Sequence, residues 1–398
     1  MNTITVTPLS LEAGAAHLEK LLRENNSSLP GTLRDKLAAA QGPDTLAALF
    51  PGESLHEEWK YTPLSILRTP WQLGQAVLSE EPPLPSLPGV SPHPIRPEAV
   101  ESSPAMESLP APTRPWERLI LSGATRYAAA TLPKDGFYTL AVSQPTPQRA
   151  APTFYALHVP SGVQAEVLLN TPTHPEALLL LQLHIALEAG ARLTFYHAAP
   201  EGVQGSVLFL FSTAIQREAH LSFYSLPGRY RWIRTESRVL LTGPGAEGLL
   251  YGAHTPHENE LCDTAIRISH LAPHTHSNQL FRSIAFKGGR RVFLGRIHVA
   301  REGQKTNAYQ SHKAILWENG AEVYSRPQLE IFADDVRCTH GVTTGFLQGE
   351  MLFYLRSRGI PDAAARALIA EGFLMEALES VPTEALRTYA RQNLGLPL

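Results

Sequence analysis

The chain has 398 residues, of which 43% are hydrophobic and 18% charged, and its 34 Lys and Arg against 37 Asp and Glu give a formal net charge of -3. That apolar content supports a sizeable core and excludes wholesale disorder, and the lack of a positive excess disfavours nucleic-acid binding by bulk charge. Two cysteines, Cys262 and Cys338, exclude both a multi-bridge secreted scaffold and a self-sufficient four-thiolate metal site.

Residues 1–10 lack a positive n-region and an apolar h-region, and runs such as 205–216 fall short of the ~18 apolar residues a membrane span requires. The expectation is a cytoplasmic protein with no membrane contact. Residues 1–78 read as a helical region, with Leu11, Leu18, Leu21 and Leu22 at helical spacing and Leu33, Leu37, Leu46 and Leu49 continuing the pattern. Residues 79–115 hold 11 of the 33 prolines, which remove backbone donors and break helices, so this stretch reads as a linker.

From 116 to 345 the pattern changes to short alternating or apolar runs separated by Gly, Pro, Asn and Asp. Segments 137–142, 164–169, 191–197 and 206–212 read as strands; 176–188, a run of leucines, fits either a strand or a helix. The later strands, 263–270, 276–286, 291–300, 306–316, 321–332 and 336–341, recur at even intervals with short links. That spacing predicts a stacked β-solenoid, with a β-sandwich as the alternative. Few Asn-Gly or Asp-Gly hairpin pairs join these strands, which weighs against the sandwich. Past 345 helices return: 348–358, then 362–379 opened by Pro361 at a first-turn position, then a last one after Pro382.

The most informative local pattern is Val336-Arg337-Cys338-Thr339-His340-Gly341. On a strand, Cys338 and His340 project from one face, a thiol and an imidazole suited to iron, zinc or copper. Two donors do not complete a structural zinc site or an iron–sulfur cluster, which take four ligands, so a partner would have to supply the rest. An ordinary buried cysteine beside a hydrogen-bonded histidine is the competing account. His274-Thr275-His276 reads as a turn, and His254, His257, His270, His298 and His312 form no compact ligand spacing.

No phosphate-binding Gly-x4-Gly-Lys-Ser/Thr loop and no Gly-x-Ser-x-Gly motif occurs, and the Gly-x-Gly of Gly243-Pro244-Gly245 has a proline where a phosphate-cradling N–H would be wanted. The chain therefore reads as lacking an ATPase site of its own. Asp334-Asp335 reads as turn chemistry, with a carbohydrate-directed acid–base pair on a solenoid as the rival use. Residues 281–313 carry Arg282, Lys287, Arg290, Arg291, Arg296, Arg301, Lys305 and Lys313 against Glu302 alone. Such a run reads as a solvated solenoid face, or as a surface that steers an anionic ligand or an acidic partner.

These residues carry a resemblance. Pro327-Gln328-Leu329-Glu330-Ile331, then 333–341, Gly345 and Leu352-Phe353-Tyr354-Leu355-Arg356-Ser357-Arg358-Gly359-Ile360, resemble the SufB/SufD family of iron–sulfur cluster assembly scaffolds. Lys305-Thr306, Tyr309-Gln310, Gly372-Phe373 and Glu57-Glu58-Trp59-Lys60-Tyr61 are similar to it as well. The SufD branch is favoured because Cys338 to Gly341 matches its Cys-x-His-Gly, and because Ser311 stands where the SufB branch has a cluster-building cysteine.

The resemblance implies a mainly β fold, a right-handed parallel β-helix core between N-terminal and C-terminal helical regions. It implies a non-catalytic scaffold that pairs through the β-helix with a SufB-type paralogue, or with a second copy of itself when alone. It also implies that Leu352, Tyr354, Leu355, Arg358, Gly372 and Phe373 meet a SufC-type ABC ATPase. His340, with Cys338 close by, would contribute to a nascent-cluster site at the paralogue interface. The chain would hold no cofactor alone, only a transient iron–sulfur cluster in the complex. The rivals are a β-solenoid carbohydrate-active enzyme and a stand-alone transition-metal-binding protein.

Overall fold

The computed structural model describes residues 126–394 apart from 143–144, 148, 200–201 and 348, together with 59–62, 72–73, 93–94, 104–110, Glu117 and Ile120. The helices expected over 1–58 lie outside the described residues, as does most of the 79–115 linker.

Strands alternate between two parallel sheets, and each coil contributes one strand to each. The first sheet contains β1 (Gln72–Leu73), β3 (Arg126–Thr131), β5 (Arg149–Val159), β7 (Leu178–Leu187), β9 (Val203–Ile215), β11 (Arg229–Leu241), β13 (Leu261–His270), β15 (Arg290–Val299) and β17 (Glu322–Ile331). The second contains β2 (His93–Pro94), β4 (Gly136–Ala141), β6 (Gln164–Asn170), β8 (Arg192–Ala198), β10 (His220–Leu226), β12 (Glu247–His254), β14 (His276–Ala285), β16 (Asn307–Leu316) and β18 (Arg337–Phe346). The architecture is a β-solenoid, with three short helices, α1 (Gly349–Ser357), α2 (Asp362–Met375) and α3 (Glu384–Asn393), at its C-terminal end.

The corners explain why the coils stack. Gly162, Gly190, Glu218, Gly245, His274 and Lys305 all have positive φ, one in each successive corner that leads from the first sheet to the second. This left-handed conformation turns the residue's N–H along the solenoid axis. Gly190 donates to Arg217, Glu218 to Pro244, Gly245 to Pro273, His274 to Gln304 and Lys305 to Asp335, each acceptor being a carbonyl of the next coil. His274 is thus a corner residue, as its sequence setting predicts.

Facing strands bury a continuous lumen. Leu179, Leu181, Leu183, Ile185 and Leu187 of β7 point into it, and Phe195, Phe211 and Phe223 stack there with centroids 4.8 to 5.8 Å apart. Each such ring contributes roughly 1.5–3 kcal/mol by leaving water. β7 is buried on both faces. Its outer side meets Trp59 and Ile120 at one end and, through Ala186, Ala105 and Met106 at the other, which resolves the leucine run as a strand rather than a helix. The Trp59–Thr62 piece is clamped in place: Trp59 lies over the Arg234 guanidinium at 3.9 Å, Thr62 donates to Asp263, and Tyr61 stacks on Tyr324 at 4.2 Å.

Within the basic run Lys287, Arg301, Lys305 and Lys313 are exposed, as a solvated face requires, whereas Arg282 and Arg291 are buried. Arg291 is fully buried in the lumen, donating to Ser283 at 3.0 Å and to Thr264 at 3.0 Å. Arg282 points outward but is covered by α2, where it grips the Glu376 carboxylate with two bonds of 2.7 and 2.6 Å. Charged side chains enter a fold's interior when their donors are answered; the Glu376 carboxylate does this for Arg282, and carbonyls and hydroxyls do so for Arg291 except at Nη2, which has no partner.

Candidate functional site

The last coil differs from those before it. β17 pairs only with β15 and β18 only with β16, so each closes its sheet with one unpaired edge among the described residues. Open strand edges are templates for a further strand, and proteins normally blunt them with charge or cover them. This edge instead continues into apolar surface. Phe332 and Phe346 are each 60% exposed, with Ile331 and Val342 also exposed, and α1 adds Met351, Tyr354 and Phe353, the last 74% exposed. Exposed apolar side chains at both ends of the last strand and on the helix that follows it mark an interaction surface.

Register places the candidate donors. Cys338 stacks on Ala308, His340 on Gln310 and Val342 on His312. Ala308, Gln310 and His312 are buried lumen-facing residues, so Cys338 and His340 belong to the lumen row of the solenoid but sit at its open mouth. Cys338 is half-buried against Ile297, Val299 and Ala308. Burial raises its thiol pKa, with a backbone hydrogen bond from Ala308 pulling the other way, so the thiol is protonated at neutral pH. His340 is exposed. Among the described residues, no three His, Cys, Asp or Glu side chains converge as a metal site.

Between these lumen residues β18 shows its outward row, Arg337, Thr339, Gly341, Thr343 and Gly345. A Cβ added at Gly341 or Gly345 would meet nothing within 4 Å. The fold itself does not require those glycines, and their bare backbone leaves room for close approach from outside. Gly295 is the opposite case: a Cβ there would strike the Gln310 amide at 2.3 Å, because that side chain crosses the lumen to it.

The other sequence candidates are distributed. Leu352 is buried and Phe373 packs against the α2–α3 cluster on the second sheet, whereas Tyr354, Arg358 and Gly372 are exposed and Leu355 is half-buried. Arg358 lies 5.3 Å over the Tyr354 ring, so these two share a face of α1 and its following turn. α2 and α3 are anchored, with Tyr224 donating to Ser380 and Tyr389 to the Ala199 carbonyl, while α1 stands clear with only Leu352 buried. Ser311 is buried and accepts from Arg282 at 3.3 Å.

Within the histidine-rich span His254, His270 and His312 are core residues, whereas His257 and His298 are part-buried. His254 and His312 are fully buried with pKa values held well below the ordinary range by desolvation, and burial pushes His197 and His270 down to about 3. Ser225 and Ser283 meet the Nε2 atoms of His254 and His312 at 3.2 and 3.1 Å. Asp334 and Asp335 lie in the turn between β17 and β18, and Asp335 pairs with Lys305, so the two carboxylates form no convergent acid–base pair. What the sequence reading missed is the exposed apolar rim, Phe332, Val342 and Phe346; its signal was hydrophobic residues continuing to the last strand with no further strand to cover them.

Comparison with known proteins adds to this geometry. Residues 147–373 match the family model described as the SUF system FeS cluster assembly SufBD core domain. The chain is 36% identical over 163 residues to the iron-sulfur cluster assembly protein SufD of Escherichia coli (strain K12), covering 41% of this chain and 38% of that protein. It is 36% identical over 133 residues to the SufBD family protein slr0076 of Synechocystis sp. (strain ATCC 27184 / PCC 6803 / Kazusa), covering 33% and 29%. A SufBD family protein of Mycobacterium leprae (strain TN), ML0594, is 27% identical over 210 residues, covering 50% and 53%. The matched stretches therefore span about half or less of these relatives. No helix among the described residues is long and apolar enough to cross a membrane.

Proposed function

Because the chain belongs to the SufBD family of iron–sulfur cluster assembly proteins and is most like its SufD members, we propose that it is a scaffold subunit without its own ATPase site, which completes a cluster-building site together with a SufB-type paralogue. The observation that carries this reading is the open last coil: a lumen row ending in Cys338 and His340 at an unpaired, apolar strand edge.

Edge-to-edge docking of a second solenoid on β17 and β18 would satisfy the free backbone groups and bury Phe332, Val342 and Phe346. It would also bring partner donors against His340. Two donors from this chain cannot hold a cluster that takes four, so the missing ligands come from across the interface. Neutral imidazole is the form that ligates, and the protonated Cys338 thiol would need to lose its proton to join it. α1, standing off the solenoid with Phe353, Tyr354 and Arg358 exposed, is the surface offered to a SufC-type ABC ATPase. Dimerisation of two ATPase copies on nucleotide binding would shift the interface between closed and open populations, admitting iron and sulfide.

The test is His340→Ala in the chain co-expressed with its SufB-type and SufC-type partners. The complex is expected to assemble in normal yield and to accumulate at least ~10-fold less cluster by iron content and visible absorbance, a tenfold loss being worth about 1.4 kcal/mol. Normal cluster loading by the substituted complex would sink the assignment of His340, and failure to co-purify with either partner would sink the scaffold reading.

A further inference from the structure

The lumen row that ends at His340 changes character as it nears the open mouth. Register sets Leu250 beside Gln279, Gln279 beside Gln310 and Gln310 beside His340, so one row climbs from β12 through β14 and β16 to β18 in steps of about 4.8 Å at the backbone. Leu250 belongs to the apolar lumen cluster, whereas the two glutamines set fully buried primary amides into the same wall.

Buried amides normally have their polar atoms answered. Gln310 donates from Nε2 to the Gly295 carbonyl at 3.4 Å, but its Oε1 has no hydrogen-bond partner among the described residues, and Gln279 has none at either amide atom. The Gln310 amide lies against the bare backbone of Gly295, where a Cβ would meet Nε2 at 2.3 Å and Oε1 at 2.7 Å. One coil further Gly295 is succeeded by Pro327, whose ring fills the space that glycine leaves. His340 therefore finds no matching place across the lumen and stands above the Gln310 amide at the exposed end of the row.

The imidazole is the neighbour able to answer Oε1. Which ring nitrogen carries the proton is set by the hydrogen bond made at the other, and a histidine that ligates a metal ordinarily donates its second N–H to a fixed acceptor behind it. An amide oxygen suits that task better than a carboxylate, which would favour the protonated ring, a form that cannot ligate.

Resting on the reading of His340 as a cluster-site donor, we propose that Gln310 is its positioning residue: Oε1 accepts the Nδ1–H of the imidazole, which leaves Nε2, at the outer tip of the ring, unprotonated and directed towards the partner. Gly295 makes this possible by leaving the amide room to lie across the lumen.

Nitrogen NMR of the full chain, isotope-labelled at histidine alone, tests this without cluster or partner. At pH ~8, above the ordinary imidazole range, the two ring nitrogens report which one holds the proton, and the His340 signals are those missing from His340→Ala. The unsubstituted chain is expected to show predominantly Nδ1–H at His340. Gln310→Met, close in volume but without the acceptor, is expected to revert to predominantly Nε2–H, the form a free histidine side chain prefers in water. In the complex with SufB-type and SufC-type partners the same variant is expected to retain about 10-fold less iron, the usual cost of losing such a support. An Nε2–H tautomer in the unsubstituted chain overturns the proposal, and that result needs no variant to fold. The same tautomer in both proteins overturns it too, as does undiminished iron retention by a folded Gln310→Met complex. Because the tautomer is read on the lone chain, its failure leaves the scaffold role standing, and the His340→Ala complex tests that role separately.

Discussion

The coil formed by β15 and β16 and the coil formed by β17 and β18 follow the same rules of register, corner and alternation, yet they stand in different solvents. In the first, Gln310 and His312 are sealed in the lumen: Gln310 donates across it to the Gly295 carbonyl, and His312 bonds across it to Ser325 and along its own sheet to Ser283. In the second, their stacking neighbours His340 and Val342 are exposed, and the flanking Phe332 and Phe346 lie open. The side chains are of similar kinds. What differs is the presence of one more coil, so function at the last coil arises from its position in the stack.

The comparison can be broken most severely in the sealed part. Phe281 is fully buried on β14, stacked near His254 and Phe293. Phe281→Ala is expected to cost about 3–5 kcal/mol in urea unfolding of the isolated chain, as cavity-forming losses of a phenyl ring do. Phe346→Asp on the open edge is expected to cost less than about 0.5 kcal/mol by the same measurement, while abolishing capture of the SufB-type partner. Equal stability losses at the two positions would erase the distinction between sealed and open coils.

A second, smaller effect sharpens it through pH. His197, His254, His270 and His312 have folded-state pKa values below the unfolded value of ~6.5, so protons bind the unfolded chain first. Their contribution is intact above pH ~6.5 and is lost as pH falls below it, for His197 and His270 down to about 3, by up to ~1.4 kcal/mol per histidine per pH unit. Urea midpoints measured down from neutral pH should therefore decline before carboxylates begin to titrate, and His312→Gln should make that decline shallower. A midpoint unchanged to pH ~5 would contradict the neutral core assignment.

The smallest effect concerns the corners. Glu218 adopts φ 55° where equivalent corners use Gly190 and Gly245. Glu218→Gly relieves the left-handed strain of a residue with a Cβ, worth about 1 kcal/mol, partly offset by the entropy glycine adds to the unfolded chain. A thermal midpoint raised by a degree or two is the expected outcome, and a lowered one would show that the corner is unstrained.

Much of this architecture was legible in the residues. Alternation and Gly- or Pro-marked corners located most strands from 137 onward, and the even spacing of the later ones pointed to a solenoid. The leucines of β7 were ambiguous because both faces of that strand are covered, which removes the alternation that separates strand from helix. Arg282 and Arg291 were misleading for a related reason: a charged residue reads as solvent-facing until the fold supplies Glu376 above one and lumen hydroxyls around the other. The amide row beneath His340 became visible only with register, since 279, 310 and 340 are far apart in sequence and adjacent in space. At the candidate site, the sequence offered Cys338 and His340 as a pair; that their row is the uncapped end of the lumen is a property of the stack.

The corner bonds between coils carry one more consequence. Each coil holds its neighbour through donors aimed along the axis, so cohesion accumulates coil by coil and the outermost layer is held from one side only. Amide hydrogen exchange in the lone subunit would run fastest at β17 and β18 and slow inward. An arriving partner would then supply the lid the chain does not build for itself, and association would be read as slowed exchange many coils from any contact.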